Sequence, residues 1–381
     1  MFTGIKRLLV PLILLVLHSG CNSKQEYYVA DISNQEYLPN TVFESYEDLS
    51  SPKVAALKEK YLPDTILHGE EDEFRRILLL REWIGEIIHI SDFETSYPGE
   101  GSPEGILDAA IDGHGFHCGH YMIVQNALLN AHGYITRCLG AGPGVPGGPD
   151  FHHGINEVWS NTYKKWFLSD AKYNHHFEKD GIPLSALEIR DEYLRNEARD
   201  IVLVTGHDRR PIPYDLVKNA SGEMIQTTKK DFAQVYTWIS WERTSDRFTG
   251  RPHNRDQLSY LIMYADDYFK DNTWIWDGNP HWAYGTEFIK EVEHRKAIEW
   301  TPNTISSKVS IENNQALVRL TSTTPNLLTY QLKTASAKEW ENIGDSLTLQ
   351  LTSSDNQMAF RTVNLAGVAG PEHTLIIAAK K

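Results

Sequence analysis

The order of three residues, and of the segments that carry them, constrains this chain more than any other feature. Cys118 opens a helix, and His153 and Asp170 follow on two successive strands. Cys118 stands in GHGFHCGHYMIVQNALLNAHGY, where Gly113 and Gly115 interrupt the preceding chain and the run from Gly119 to Ala131 reads as helix. The thiol is therefore expected at a helix N-terminus, where orphan N–H groups and the positive end of the macrodipole favour a thiolate. His153 begins HGINEVW, whose rough alternation of polar and apolar residues is that of a strand, and Asp170 ends KKWFLSD, a second strand that a short turn would pair with the first. Paired antiparallel strands can present both side chains at one edge. The carboxylate then orients the imidazole, and the imidazole takes the thiol proton, as nucleophilic catalysis by a weak acid requires. His152 competes with His153 for this role, but alternation sends the two to opposite faces and the register of Glu157 favours His153.

A buried Cys on a helix more often packs than reacts, and a bare Cys, His, Asp order among sixteen His would carry little. The helix, strand, strand context gives that order its weight. The pattern G-x-x-C before a helix, then GYITRCLG, a glycine-rich loop, H-x-x-x-E-V, an aromatic pair and a terminal Asp resembles the transglutaminase-like superfamily over residues 70–200. The resemblance implies an α+β fold with a transglutaminase-like core, a circularly permuted relative of papain. It also implies Cys118 as nucleophile, His153 as general base and Asp170 as the orienting acid. Ile155 stands where the family commonly has Trp, and Cys138 where an aliphatic residue is usual.

The N-terminus points to a compartment. Lys6 and Arg7 precede the apolar run LLVPLILLVL, too short to span a membrane and of the form of a signal peptide over residues 1–20. The run ends in Leu17, His18, Ser19, Gly20, Cys21, similar to a bacterial lipobox, with His18 where Leu is usual. Cys21 is thus expected to be lipidated, anchoring the protein at the bacterial cell envelope. Residues 21–46, polar and without periodicity, read as a tether. The net charge of −14 becomes two units more negative without Lys6 and Arg7, which argues against nucleic acid as a partner. With Cys21 acylated and Cys118 reactive, Cys138 has no obligatory partner and no disulfide framework is expected.

Downstream, Ile77, Leu80, Ile84, Ile87 and Ile88 recur at spacings of three and four, marking an amphipathic helix expected behind the catalytic one. The Gly/Pro-dense stretch 140–150 reads as an irregular loop at the cleft rim, and 184–197 as a helix. The catalytic core is bounded at 47–204, and an aromatic-rich extension at 205–304 holds Trp238, Trp241, Trp274, Trp276 and Trp282. Core packing is their commoner role, although an exposed set could grip a glycan or peptide. From 305 to 381 short β-rich runs between turns read as an antiparallel β-sandwich similar to a fibronectin type III module.

His114, His117, His120, His152, His153, His175 and His176 invite a metal reading, but the ordered spacing of a Cys/His zinc motif is absent. No metal and no cofactor are expected. The expected activity is acyl transfer through a thioester on a protein, peptide or glycopeptide substrate, with hydrolysis favoured over cross-linking. The rival class is a non-catalytic lipoprotein that binds glycan or peptide through the Trp-rich region.

Overall fold

The structure, a computed structural model, describes residues 25–33, 37–61, 64–91, 101–142, 152–212, 214–218, 224–250, 261–264, 266, 275–276, 279–280, 289–352, 354 and 356–380. The expected signal peptide and Cys21 lie outside these residues. Among the described residues no helix is long and apolar enough to cross a membrane. The fold is mixed, with six α-helices and several sheets among the described residues.

A six-stranded sheet forms the centre, in the order Ile289–Val292, Leu261–Tyr264, Trp238–Glu242, Thr136–Gly142, His153–Ser160, Lys165–Ser169. Its pairings are antiparallel except for the outer Leu261–Tyr264 and Ile289–Val292 pair, which is parallel. Register partners Val158 and Phe167 face the helices Glu73–Ile87, Pro103–Ile111 and Cys118–Ala131, which share one core. Partners Leu139 and Ile155 face the other way, onto the helices Ala186–Asn196 and Lys229–Val235. The period of two in each strand produces this division.

The helix Glu73–Ile87 forms as its periodicity predicts. Asp72 caps it by accepting from the Arg75 N–H at 2.7 Å, and Phe74, Ile77, Leu78, Leu80 and Ile84 are buried. The Cys118 helix is buried on nearly every side, including Gln125, Asn126 and Asn130, because it lies between the sheet and the helices behind it. Its polar side chains are spoken for: Gln125 donates to Ser169 Oγ at 2.7 Å and Asn126 to the Ser245 carbonyl at 2.8 Å.

Two expectations are corrected. The strand Thr136–Gly142 carries regular structure through Gly140–Gly142, into the stretch expected to be irregular from residue 140. Pairing to Ile239 and Ser240 on one side and to His153 and Gly154 on the other overrides the low propensity of glycine there. The remainder of that stretch, 143–150, lies outside the described residues. The stretch 21–46, expected as a tether, contains the strand Tyr27–Ile32, antiparallel to His373–Ala379, and Val42 and Phe43 are buried. Tyr27, Val29 and Ile32 pack on the C-terminal core, and Phe43 stacks on Trp300 at 4.9 Å. The C-terminal strands form two sheets around Val318, Leu332, Phe360, Leu375 and Ile377, one of them completed by this N-terminal strand.

A buried ion pair ties the layers together. Glu157 accepts from Arg137 Nε at 2.8 Å and Nη2 at 2.5 Å, from Trp241 Nε1 at 2.8 Å and from the Ala186 N–H at 2.7 Å. The Arg137 guanidinium lies over the rings of Trp166 and Trp300, 4.2 and 4.5 Å from their centroids. Glu157→Ala would leave Arg137 charged, buried and without its carboxylate. Urea unfolding should show a loss of about 3–5 kcal/mol; a loss below about 1 kcal/mol would mean the pair does not organise the sheet.

Candidate active site

Cys118 is the first residue of its helix, and the cap is His117, whose Nδ1 accepts the Gly119 N–H at 3.2 Å. The helix end rests on the strand that carries His153. A Cβ built on Gly154 would lie 3.3 Å from Gly119 Cα and 3.4 Å from its nitrogen, so the approach is backbone to backbone. Glycine at 154 lets the helix N-terminus, with the half-buried Cys118 thiol at its first residue, sit flat on the strand one position from His153. His153 is buried while the neighbouring His152 is exposed.

Asp170 follows the strand Lys165–Ser169, where the chain turns and comes back as His175–Lys179. Its Oδ2 lies 2.7 Å from His153 Nε2 and 3.3 Å from His175 Nε2. Its Oδ1 accepts the N–H groups of Lys172 at 2.9 Å and Tyr173 at 3.3 Å. Asp170 and His175 exchange both backbone hydrogen bonds at 3.0 Å, which closes the turn. With His153 Nε2 on Asp170, Nδ1 is the nitrogen left for the thiol.

The turn is held from two sides. The Tyr173 ring stacks on both His153 and His175, at 5.6 and 5.7 Å, and Phe232 packs against it edge to face. Asn174 takes a left-handed φ of 50°, and its Oδ1 accepts from the buried Arg81 at 3.0 Å. Arg81 also contacts His176 Nδ1 at 3.0 Å, while His176 Nε2 is 2.8 Å from Glu178. The helix Glu73–Ile87 therefore braces the carboxylate that faces His153.

Electrostatics follow from these contacts. Burial would push the Cys118 thiol up, but hydrogen bonds from His117 and His153, with the charges of His153 and Lys172, hold it well below the ordinary thiol range. Burial would push His153 down, yet the charge and hydrogen bond of Asp170, followed by Cys118, raise it to about 9. Burial is likewise outweighed at Asp170, which His153 and His175 hold at about 2. Both shifts favour the pair as thiolate and imidazolium over thiol and neutral imidazole.

The remaining candidates divide. His114 and His117 are exposed, and His120 is buried and held down at about 4 by burial and by His117. Among the described residues no three His, Cys, Asp or Glu side chains are grouped as a metal ion would need. Cys118 and Cys138 are free thiols; Cys138 is fully buried, takes a hydrogen bond from Asn156 Nδ2 at 3.5 Å, and is pushed up by burial. Trp238 and Trp241 are buried in the core, so neither offers a stacking face to solvent. Trp274 and Trp282, and the side chain of Trp276, lie outside the described residues. Sequence reasoning missed Gly154, Tyr173 and Lys172. The signal for Gly154 was a glycine inside a strand next to the candidate base, which marks close backbone approach.

The sequence matches no family model and no curated protein. Among solved structures, red sea bream transglutaminase is similar at 13% identity, over 86% of this chain and 73% of that one, with a TM-score of 0.26.

Gly154→Ala tests the seating of the helix end. The added methyl meets backbone that cannot rotate away, so the thiol should retreat from His153. Iodoacetamide labelling of Cys118 at pH 6 should slow about tenfold for each unit by which the thiol rises. Gly140→Ala, whose Cβ would meet only Ser240 Oγ at 3.4 Å, should label at the wild-type rate. Equal labelling of the two variants would contradict the close-approach account.

Proposed function

We propose that the protein is a thiol-dependent acyl-transfer enzyme of transglutaminase-like type. The observation that carries this reading is the buried His153–Asp170 pair, 2.7 Å from Nε2 to Oδ2, beside a half-buried thiol at a helix N-terminus. In this reading Cys118 Sγ attacks an amide carbonyl and forms a tetrahedral intermediate. The C–N bond then breaks as His153 gives its proton to the departing amine. Water attacks the resulting thioester, His153 takes the water proton, and the acid product and the Cys118 thiolate are released. Asp170 keeps the imidazole in the required orientation and stabilises its charge. We favour water over an amine as acceptor because selecting an amine against bulk water requires a dry channel to the thioester. The substrate class is a protein, peptide or glycopeptide, taken at the cell envelope.

The three residues have unequal roles, which makes the reading testable once turnover of a peptide substrate is in hand. Cys118→Ala should abolish turnover, and His153→Ala should come close to doing so. Asp170→Asn should lose roughly 10² to 10⁴-fold, because nucleophile and base remain. Full activity in Cys118→Ala would end the proposal.

The envelope location rests on the sequence before Cys21, with lipid at that Cys as the anchor. Cys21→Ser should move the protein from the membrane fraction to the soluble fraction, since stable anchoring takes two acyl signals. Unchanged partitioning would exclude Cys21 as the anchor.

A further inference from the structure

An acyl transfer of the kind proposed above needs donors for the oxyanion that forms on the carbon bonded to Cys118 Sγ. The backbone N–H of Cys118 is one. It stands at the first helical position, and the neighbouring cap bonds use other groups: Gly119 N–H goes to His117 Nδ1 at 3.2 Å and His120 N–H to the His117 carbonyl at 3.1 Å. A single backbone donor leaves the developing charge half supported, and the residue beside it carries a ring N–H that could complete the pair.

We propose that the Nε2–H of His117 is the side-chain half of the oxyanion site, acting with the Cys118 N–H. The inference rests on the acyl-transfer reading. The His117 ring is fixed on two sides, by the Gly119 N–H on Nδ1 and by the His120 ring, which meets it at 4.0 Å and 61°. Because Nδ1 accepts a hydrogen bond, the proton of the neutral ring is assigned to Nε2. The cap thus does two jobs: it satisfies a helix N–H and turns the imidazole into a donor. His117 caps the helix end that Cys118 opens, one residue from the nucleophile, and it is exposed, so a substrate carbonyl can reach it. His153 is committed to Asp170 and the thiol and is not available for this task. In the step itself, Sγ bonds to the carbonyl carbon and the carbonyl π electrons move to oxygen. The two N–H groups hold that oxygen until the electron pair returns and expels the leaving group. No proton leaves His117.

The probe is p-nitrophenyl acetate, whose burst of p-nitrophenolate reports acetylation of Cys118. Parallel iodoacetamide labelling measures the thiolate fraction, so acetylation can be expressed per thiolate. His117→Asn keeps an acceptor for the Gly119 N–H at the Nδ1 position and removes the Nε2 donor. It should acetylate roughly 10²-fold more slowly per thiolate than wild type. His117→Gln, whose amide N–H reaches the Nε2 position, should recover about tenfold of that loss, which a purely structural role would not allow. A burst at the wild-type rate per thiolate in His117→Asn overturns the donor role. Equal losses in the Asn and Gln variants overturn it too, since they would report only a damaged cap. A wild-type protein with no Cys118-dependent burst overturns the acyl-transfer reading and the donor role with it.

Discussion

The contact between His153 Nε2 and Asp170 Oδ2, 2.7 Å long and shut away from solvent, is the constraint around which the site is arranged. Neither partner would remain charged alone at that depth, because burial disfavours both ionised forms. Together they do: the carboxylate falls to about 2 and the imidazole rises to about 9. Holding them so close requires the turn after Asp170 to be fixed. The two backbone hydrogen bonds to His175, the Tyr173 ring and the Arg81 to Asn174 bond all serve that end. Arg81 on the helix Glu73–Ile87 and the start of the strand His175–Lys179 can be understood as support for one carboxylate.

The thiol depends on the same pair. A half-buried sulfur is a poor place for a negative charge unless polar and positive groups offset its burial, and His117, His153 and the charge of Lys172 do so. The cap bond of His117 and the flat seating of the helix end on Gly154 are two parts of one arrangement. Each shortens the path from a sulfur on a helix to an imidazole on a strand. A side chain at 154 would widen that gap, and the electrostatics that lower the thiol would weaken with it.

Much of this was legible in the sequence where the information is local. The helix Glu73–Ile87 follows from its three-and-four spacing, and the hairpin carrying His153 and Asp170 from its alternation and short turn. The choice of His153 over His152 followed from the same alternation. Non-local pairings left no such mark. Tyr27–Ile32 finds its partner, His373–Ala379, at the far end of the chain, and the strand-favouring residues of YYVADI carry no sign of where that partner lies. Gly140–Gly142 sit in a run whose composition forbids regular structure by local rules, yet strands on both sides capture it. The roles of Arg81 and Tyr173 were hidden for a related reason. An Arg on an amphipathic helix looks solvated until the partner turn is placed against it.

The central claim is that the resting site holds a thiolate paired with an imidazolium. The ultraviolet absorbance of the Cys118 thiolate, titrated against pH in wild type and in His153→Ala, tests this most directly, with Cys118→Ala as the blank. The account predicts that the wild-type band persists well below pH 8 and that removing His153 moves its midpoint up towards about 8.5, the value of an ordinary thiol. Identical titrations in the two proteins would show that His153 does not hold the thiolate, and the account of the site would fail.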